Sequence, residues 1–180
     1  MLTKDLSSVM FSAEEVKEMV RGLAARIDAD YAGKEIMMVA TLKGALIFTA
    51  DLIRELKQCS AVLDSIVASS YGNGTETSGK VNIRKDLDLD IKGKDVIIVE
   101  DIIDSGMTMN ALLPLLRERG AASVKLCALL SKPSRRKVEV NIDYLGSEVP
   151  DEFLVGYGLD YAERYRMLPC IGVLKREIYS

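Results

Sequence analysis

The stretch from Val96 to Thr108 constrains this chain more than any other. Val96-Ile97-Ile98-Val99 is apolar at successive positions. Strand side chains alternate between two faces, so such a run needs cover on both sides, as in a parallel sheet flanked by helices. The chemistry then reverses: Glu100 and Asp101, two isoleucines, and the turn Asp104-Ser105-Gly106-Met107-Thr108. A helical pattern follows from Thr108 to Arg119, with Gly120 just past its end. In open α/β sheets, ligands bind beyond the carboxyl ends of the strands. This segment therefore sets two carboxylates at a ligand-binding position, and a third at the start of a helix-opening turn. Gly106 permits tight backbone geometry there. Successive N–H groups, with the Ser105 and Thr108 hydroxyls, can cradle an anion. A solvated acidic helix cap is the plainer alternative.

Other elements agree with an α/β reading. Ser12 with Glu15 forms a capping-box pattern ahead of Val16, Met19, Val20, Leu23 and Ile27 at helical spacing. Gly33 punctuates the end of that helix. Ile36 to Ala40 reads as a buried strand, followed by Thr41-Leu42-Lys43-Gly44 and a helix from about Ala45 to Leu56. Val62 to Ala68 predicts a strand, and Ser69 to Lys80 a long, polar, mobile loop. A returning strand spans Val81 to Leu89, Lys92-Gly93-Lys94 a turn, and Val124 to Leu130 another core strand. The strand–helix–strand order predicts a mainly parallel, twisted sheet with helices on both faces. The chain reads as one domain over residues 1–180. The part from about Lys132 to Ser180 is expected to form most of a small β-rich subregion, to which the N-terminal segment can contribute.

Composition excludes several chemistries. The chain has no histidine, so imidazole-dependent hydrolysis and His-ligated zinc drop out. Acid–base work falls to Asp, Glu, Lys or Tyr. Cys59, Cys127 and Cys170 are odd in number and widely spaced, which predicts reduced, buried thiols in a cytoplasmic protein. The first fifteen residues lack a signal-peptide apolar region, and no apolar run reaches the roughly 18 residues of a membrane span. A net charge of −3 gives no support to a nucleic-acid or membrane partner. Binding a polyanion therefore requires local cations or a metal.

The segment Val96 to Thr108 closely resembles the phosphoribosyl pyrophosphate (PRPP) motif of the type I phosphoribosyltransferases. The similarity extends from Val39 to Val173 and is strongest to the hypoxanthine-guanine members. Leu42-Lys43-Gly44 looks like the family's pyrophosphate loop, in which a cis peptide precedes the lysine. Ser70-Tyr71-Gly72 looks like the head of its mobile catalytic loop. Ser131-Lys132 matches its purine-contacting lysine. Phe153-Leu154-Val155-Gly156-Tyr157-Gly158-Leu159-Asp160-Tyr161 resembles its hood, whose aromatic stacks on the base, and Arg166 matches an arginine that serves pyrophosphate.

The resemblance implies the type I phosphoribosyltransferase fold with a small hood. It implies a magnesium-dependent enzyme that moves 5-phosphoribosyl from PRPP to N9 of hypoxanthine or guanine, giving IMP or GMP and pyrophosphate. Residues 104–108 would hold the ribose phosphate, and Glu100 and Asp101 the sugar hydroxyls. Metal ligands would be Glu100, Asp101 and Asp160. Asp104 would act as the base at purine N7, while Lys132, Phe153, Leu154 and Asp160 would contact the purine. Dimers or tetramers are implied. Arg135-Arg136-Lys137 is expected to be a solvated basic face, or else an oligomer contact. Three rivals are a dinucleotide or P-loop protein, a PRPP-fold regulator of RNA, and a transferase for xanthine, adenine or uracil. The first fails on spacing: Gly72-Asn73-Gly74 is not followed by a glycine at 77, and Val81 follows Gly79-Lys80.

Overall fold

A computed structural model describes residues 2–70 and 81–180. Its centre is a six-stranded sheet in the order β4-β3-β2-β5-β6-β7. The strands are β2 (Glu35–Thr41), β3 (Ser60–Ser70), β4 (Val81–Lys85), β5 (Asp95–Ile103), β6 (Ser123–Ser131) and β7 (Tyr144–Glu148). All neighbouring pairs are parallel except β3 with the edge strand β4. The helices are α1 (Ala13–Tyr31), α2 (Leu46–Glu55), α3 (Met107–Glu118) and α4 (Arg176–Tyr179).

The apolar run in β5 splits as its period requires. Ile97 and Val99 pack with residues of α1 and α2, including Val20, Ile27, Phe48 and Leu52. Val96 and Ile98 pack with Met109, Leu112 and Leu116 of α3. Burying such side chains contributes roughly 1.5–3 kcal/mol each, which makes this double-sided core the main stabilising element. The capping box at the start of α1 is present: Ser12 Oγ accepts from Glu15 N, and Ser12 N donates to Glu15.

Leu6–Phe11 is β1, which pairs with β9 (Ile171–Leu174); β9 in turn pairs with β8 (Leu154–Val155). This three-stranded antiparallel sheet carries the small subregion. Three details differ from the sequence reading. β7 joins the main sheet through Cys127↔Tyr144 and Leu130↔Ser147, so this part of the C-terminal region extends the core rather than the small sheet. β3 runs through Ser70, so Ser69 and Ser70 lie in a strand paired with Val81 and Asn82, not in a loop. β4 ends at Lys85 rather than Leu89, because the Asp64 carboxylate accepts from Asp88 N (2.8 Å) and Leu89 N (2.9 Å) and turns the chain. The expected mobile loop, with Tyr71, otherwise falls on residues 71–80, outside the described ones. Of the cysteines, Cys127 is fully buried while Cys59 and Cys170 are half-buried, and all three are free thiols. Among the described residues, no helix is long and apolar enough to cross a membrane.

Two local devices set the site's frame. Gly106 sits at φ 81° as the residue that starts α3, with the Val138 carbonyl oxygen 2.8 Å from where a Cβ would lie. Gly106→Ala should therefore lower unfolding free energy by at least about 1 kcal/mol, measured in urea, through left-handed strain and that clash. Second, Asp28 is buried in α1 and accepts from Lys57 N (2.8 Å), Gln58 N (2.9 Å) and Cys59 N (3.1 Å), tying α1 to the turn before β3. Burial raises its pKa, but those N–H groups outweigh it and hold the carboxyl below its ordinary range. Its stabilisation is thus present above the unfolded carboxylate pKa and is lost as pH falls through the folded value. Asp28→Asn should cost about 1–3 kcal/mol near pH 7 and flatten the acid limb of the stability–pH curve.

Candidate active site

The chain enters β2, crosses through α2 to β3 on one side, and later returns in β5 on the other side of β2. That reversal is a switch point, where the crevice of an open sheet lies. The carboxyl ends of β2, β5 and β6 open onto it together. β2 delivers Lys43, β5 delivers Glu100, Asp101 and Asp104, and β6 delivers Ser131 and Lys132. Thr41 Oγ1 donates to Val99 O (2.8 Å), and Lys132 N donates to Ile103 O (2.9 Å), stitching the three ends together.

Three neighbouring pockets share these residues. The first, about 210 Å³, is lined by Glu100, Ile102, Asp104, Ser105, Gly106 and Thr108 among others. Gly106 at the N-cap of α3 has no side chain to cap it, and Ser105 Oγ accepts from Met107 N only at 3.4 Å, so this helix start can turn its N–H groups to an anion. The second, about 260 Å³, is lined by Asp101, Ile102, Asp104, Lys132, Phe153, Leu154, Leu159 and Asp160. Asp104 borders both. The third, about 340 Å³, is lined by Leu42, Lys43, Val67, Arg84, Lys85, Glu163 and Arg166. A larger cavity of about 470 Å³ lies between α1, α2 and Met167, and none of the expected site residues lines it.

The expected residues other than Tyr71, which lies outside the described ones, take these places. Glu100 is pushed well above the ordinary carboxylate range by burial and by the Asp101 charge beside it. Asp101 accepts from Ile102 N (2.8 Å) and abuts Gly44 so closely that any Cβ there would collide with its carboxylate. A Cβ on Gly158, in turn, would collide with the Gly44 carbonyl, so two glycines let the hood segment, the Lys43 loop and β5 meet. The Leu42–Lys43 peptide is cis. Lys132 is buried and donates to Glu152 O (2.7 Å). Phe153 stacks on Tyr179, with ring centroids 4.7 Å apart. Asp160 is engaged at both oxygens, by Arg166 (2.8 Å) and by Glu163 N (2.9 Å). Ser70 is the last residue of β3.

The basic run is exposed at Arg135 and Lys137, as expected of a solvated face, but it also contacts the site. Arg135 Nε lies 3.1 Å from Asp104 Oδ1, and its Nη1 3.2 Å from Asp151. Arg136 donates to Ser131 Oγ (2.6 Å), and the Lys137 and Val138 N–H groups donate to Ser105 O. This segment buttresses the 104–106 turn. Sequence reasoning missed Arg135, Glu163 and Tyr179. Charge runs and C-terminal aromatics carry no local signal of what they face.

Among the described residues, no group of three acidic or cysteine side chains converges as a protein-only metal cage. A magnesium ion is commonly held by one or two carboxylates plus substrate phosphates, and the desolvated, mutually repelling Glu100 and Asp101 fit that requirement.

The sequence profile of the phosphoribosyl transferase domain matches residues 11–162. The hypoxanthine-guanine phosphoribosyltransferase of Bacillus subtilis (strain 168) is 49% identical over 180 residues, covering 100% of this chain and 99% of that protein. A bifunctional protein TilS/HprT of Listeria monocytogenes is 49% identical over 176 residues; this chain spans only 27% of its length. A crystal structure of a hypoxanthine phosphoribosyltransferase from Staphylococcus aureus superposes with a TM-score of 0.94 at 43% identity, covering 99% of this chain and 97% of that one. With its switch-point crevice, its glycine turn opening α3 and these matches, the chain belongs to the phosphoribosyl transferase domain family.

Proposed function

We propose that the chain transfers the 5-phosphoribosyl group of PRPP to N9 of hypoxanthine or guanine, releasing pyrophosphate and forming IMP or GMP. One observation carries this reading: Asp104 borders both the pocket built from the 104–108 turn and the pocket that holds Lys132 and Phe153. A carboxylate between an anion cradle and an aromatic-lined pocket is where a sugar–base bond would be made. The matches to hypoxanthine-guanine enzymes along nearly the whole chain support the same substrate pair.

The roles follow from placement. The N–H groups of 105–108 take the 5′-phosphate. Glu100 and Asp101 orient the ribose hydroxyls and would hold magnesium, which supplies charge neutralisation of the leaving pyrophosphate. Asp160 can join only if Arg166 lets go of it. Lys43 and Arg166 bind the pyrophosphate side. The purine N9 pair forms the bond to C1, the C1–oxygen bond breaks, and its electrons leave on pyrophosphate. Positive character develops on the sugar ring as in other glycosyl transfers. Asp104 accepts a hydrogen bond or proton from purine N7. Lys132 offers N–H donors and no acceptor, so it suits a 6-oxo group and mismatches the 6-amino group of adenine. A cytoplasmic location and a dimer or tetramer belong to the same proposal.

Turnover with PRPP and magnesium against hypoxanthine, guanine, xanthine and adenine tests it; activity confined to adenine, or none with any base, contradicts it. Asp104→Asn should lower kcat by about 10²-fold or more while the KM for PRPP changes only a few-fold. Lys132→Gln, which can both donate and accept, should narrow the hypoxanthine-over-adenine ratio of kcat/KM by roughly tenfold.

A further inference from the structure

The third pocket contains an anion of its own. Glu163 Oε2 lies 2.9 Å from Lys43 Nζ and 3.4 Å from Arg166 Nη2, so one carboxylate spans the two cations assigned above to pyrophosphate. The backbone that presents it is unusual: Ala162, Glu163 and Tyr165 all take positive φ (50°, 63° and 76°) without being glycine. Such conformations cost of order 1 kcal/mol or more and persist where the surroundings hold them. Here the Asp160 carboxylate holds Glu163 N at 2.9 Å, and a Tyr161–Arg164 bridge closes the turn. Lys43, and secondarily Arg166, keeps the Glu163 carboxyl below its ordinary range, so it is charged at neutral pH. The groups facing it are Lys43, Arg166, Arg84 and Lys85. Lys85 is already bound to Asp88 (3.0 Å) and to the Ser65 carbonyl (2.9 Å).

We propose that Glu163 is a built-in competitor of pyrophosphate: its carboxylate sits between Lys43 and Arg166, must leave when a diphosphate enters, and returns as pyrophosphate departs. This rests on the transferase reading for its biological meaning, but not for its test. The exchange is purely ionic, one carboxylate for diphosphate oxygens, with no covalent change. Glu163 is exposed, with 65% of its side chain open to solvent, so withdrawing it opens no cavity. Without substrate it pairs with Lys43 and adds to the Asp160 contact (2.8 Å) that already holds Arg166, and it limits how tightly product is held.

Calorimetric titration with inorganic pyrophosphate, in magnesium chloride, compares the wild type with Glu163→Gln. The variant should bind pyrophosphate about two- to fivefold more tightly, as expected for loss of a weak competing ion pair. It should bind PRPP more tightly to a similar degree and IMP unchanged, because the monophosphate and base pockets lack Glu163. Unchanged or weaker pyrophosphate binding overturns the inference, as does a parallel tightening for IMP. Tighter pyrophosphate binding in a protein that transfers no phosphoribosyl group would leave the inference standing and remove the proposed function.

Discussion

Parallel pairing of β5 with β2 on one side and β6 on the other is the constraint from which the site follows. In a parallel sheet all three strands end at the same edge, so whatever follows their last apolar residue is delivered to one crevice. Ala40 pairs with Val99, and Ile103 with Ser131. Those registers bring the Lys43 loop, the acids after Val99 and Lys132 together from positions about ninety residues apart in the chain. A one-residue slip would send the acids of β5 into the opposite face. The double-sided core under β5, with α1 and α2 on one face and α3 on the other, makes that slip costly.

Charge is arranged with similar economy. An acidic chain of net charge −3 has to receive a polyanion, and its binding cations are matched by internal carboxylates. Arg166 meets Asp160, Lys43 meets Glu163, and Arg135 meets Asp104. The Lys43–Glu163 and Arg135–Asp104 pairs are about half exposed or more and individually weak, so a polyanion can displace them at modest cost, whereas Arg166–Asp160 is more deeply set. Glu100 and Asp101 are the opposite case, two neighbouring acids without such a counterion among the described residues, which is the arrangement a divalent cation relieves.

The residues that were legible in the sequence are those governed by local rules. The run Val96 to Val99, the Ser12–Glu15 cap and Gly106 each obey a short-range steric or hydrogen-bonding requirement, and each stands where the pattern put it. Motif resemblance added Lys43, Lys132 and Arg166, whose individual positions carry no periodic signal. What could not be read depends on contacts across the chain. β7 gave only a short apolar run, and its membership of the main sheet rests on pairing with β6. β4 stopped early because Asp64, more than twenty residues upstream, captures its next N–H groups. Arg135 is on a solvated face, as its charge run suggests, but its contact with Asp104 depends on the 3₁₀ turn at Pro133–Arg135. Tyr179 stacks on Phe153 from the far end of the chain.

The account rests on the backbone at residues 105–108 receiving a phosphate while Asp104 faces the base. A crystal structure of the protein with IMP measures both at once. The account predicts the phosphate within hydrogen-bonding distance of those N–H groups, with the hypoxanthine ring between Phe153 and Lys132 and its N7 beside Asp104. Nucleotide bound elsewhere, such as in the cavity beside Met167, or phosphate density away from the start of α3, would contradict it.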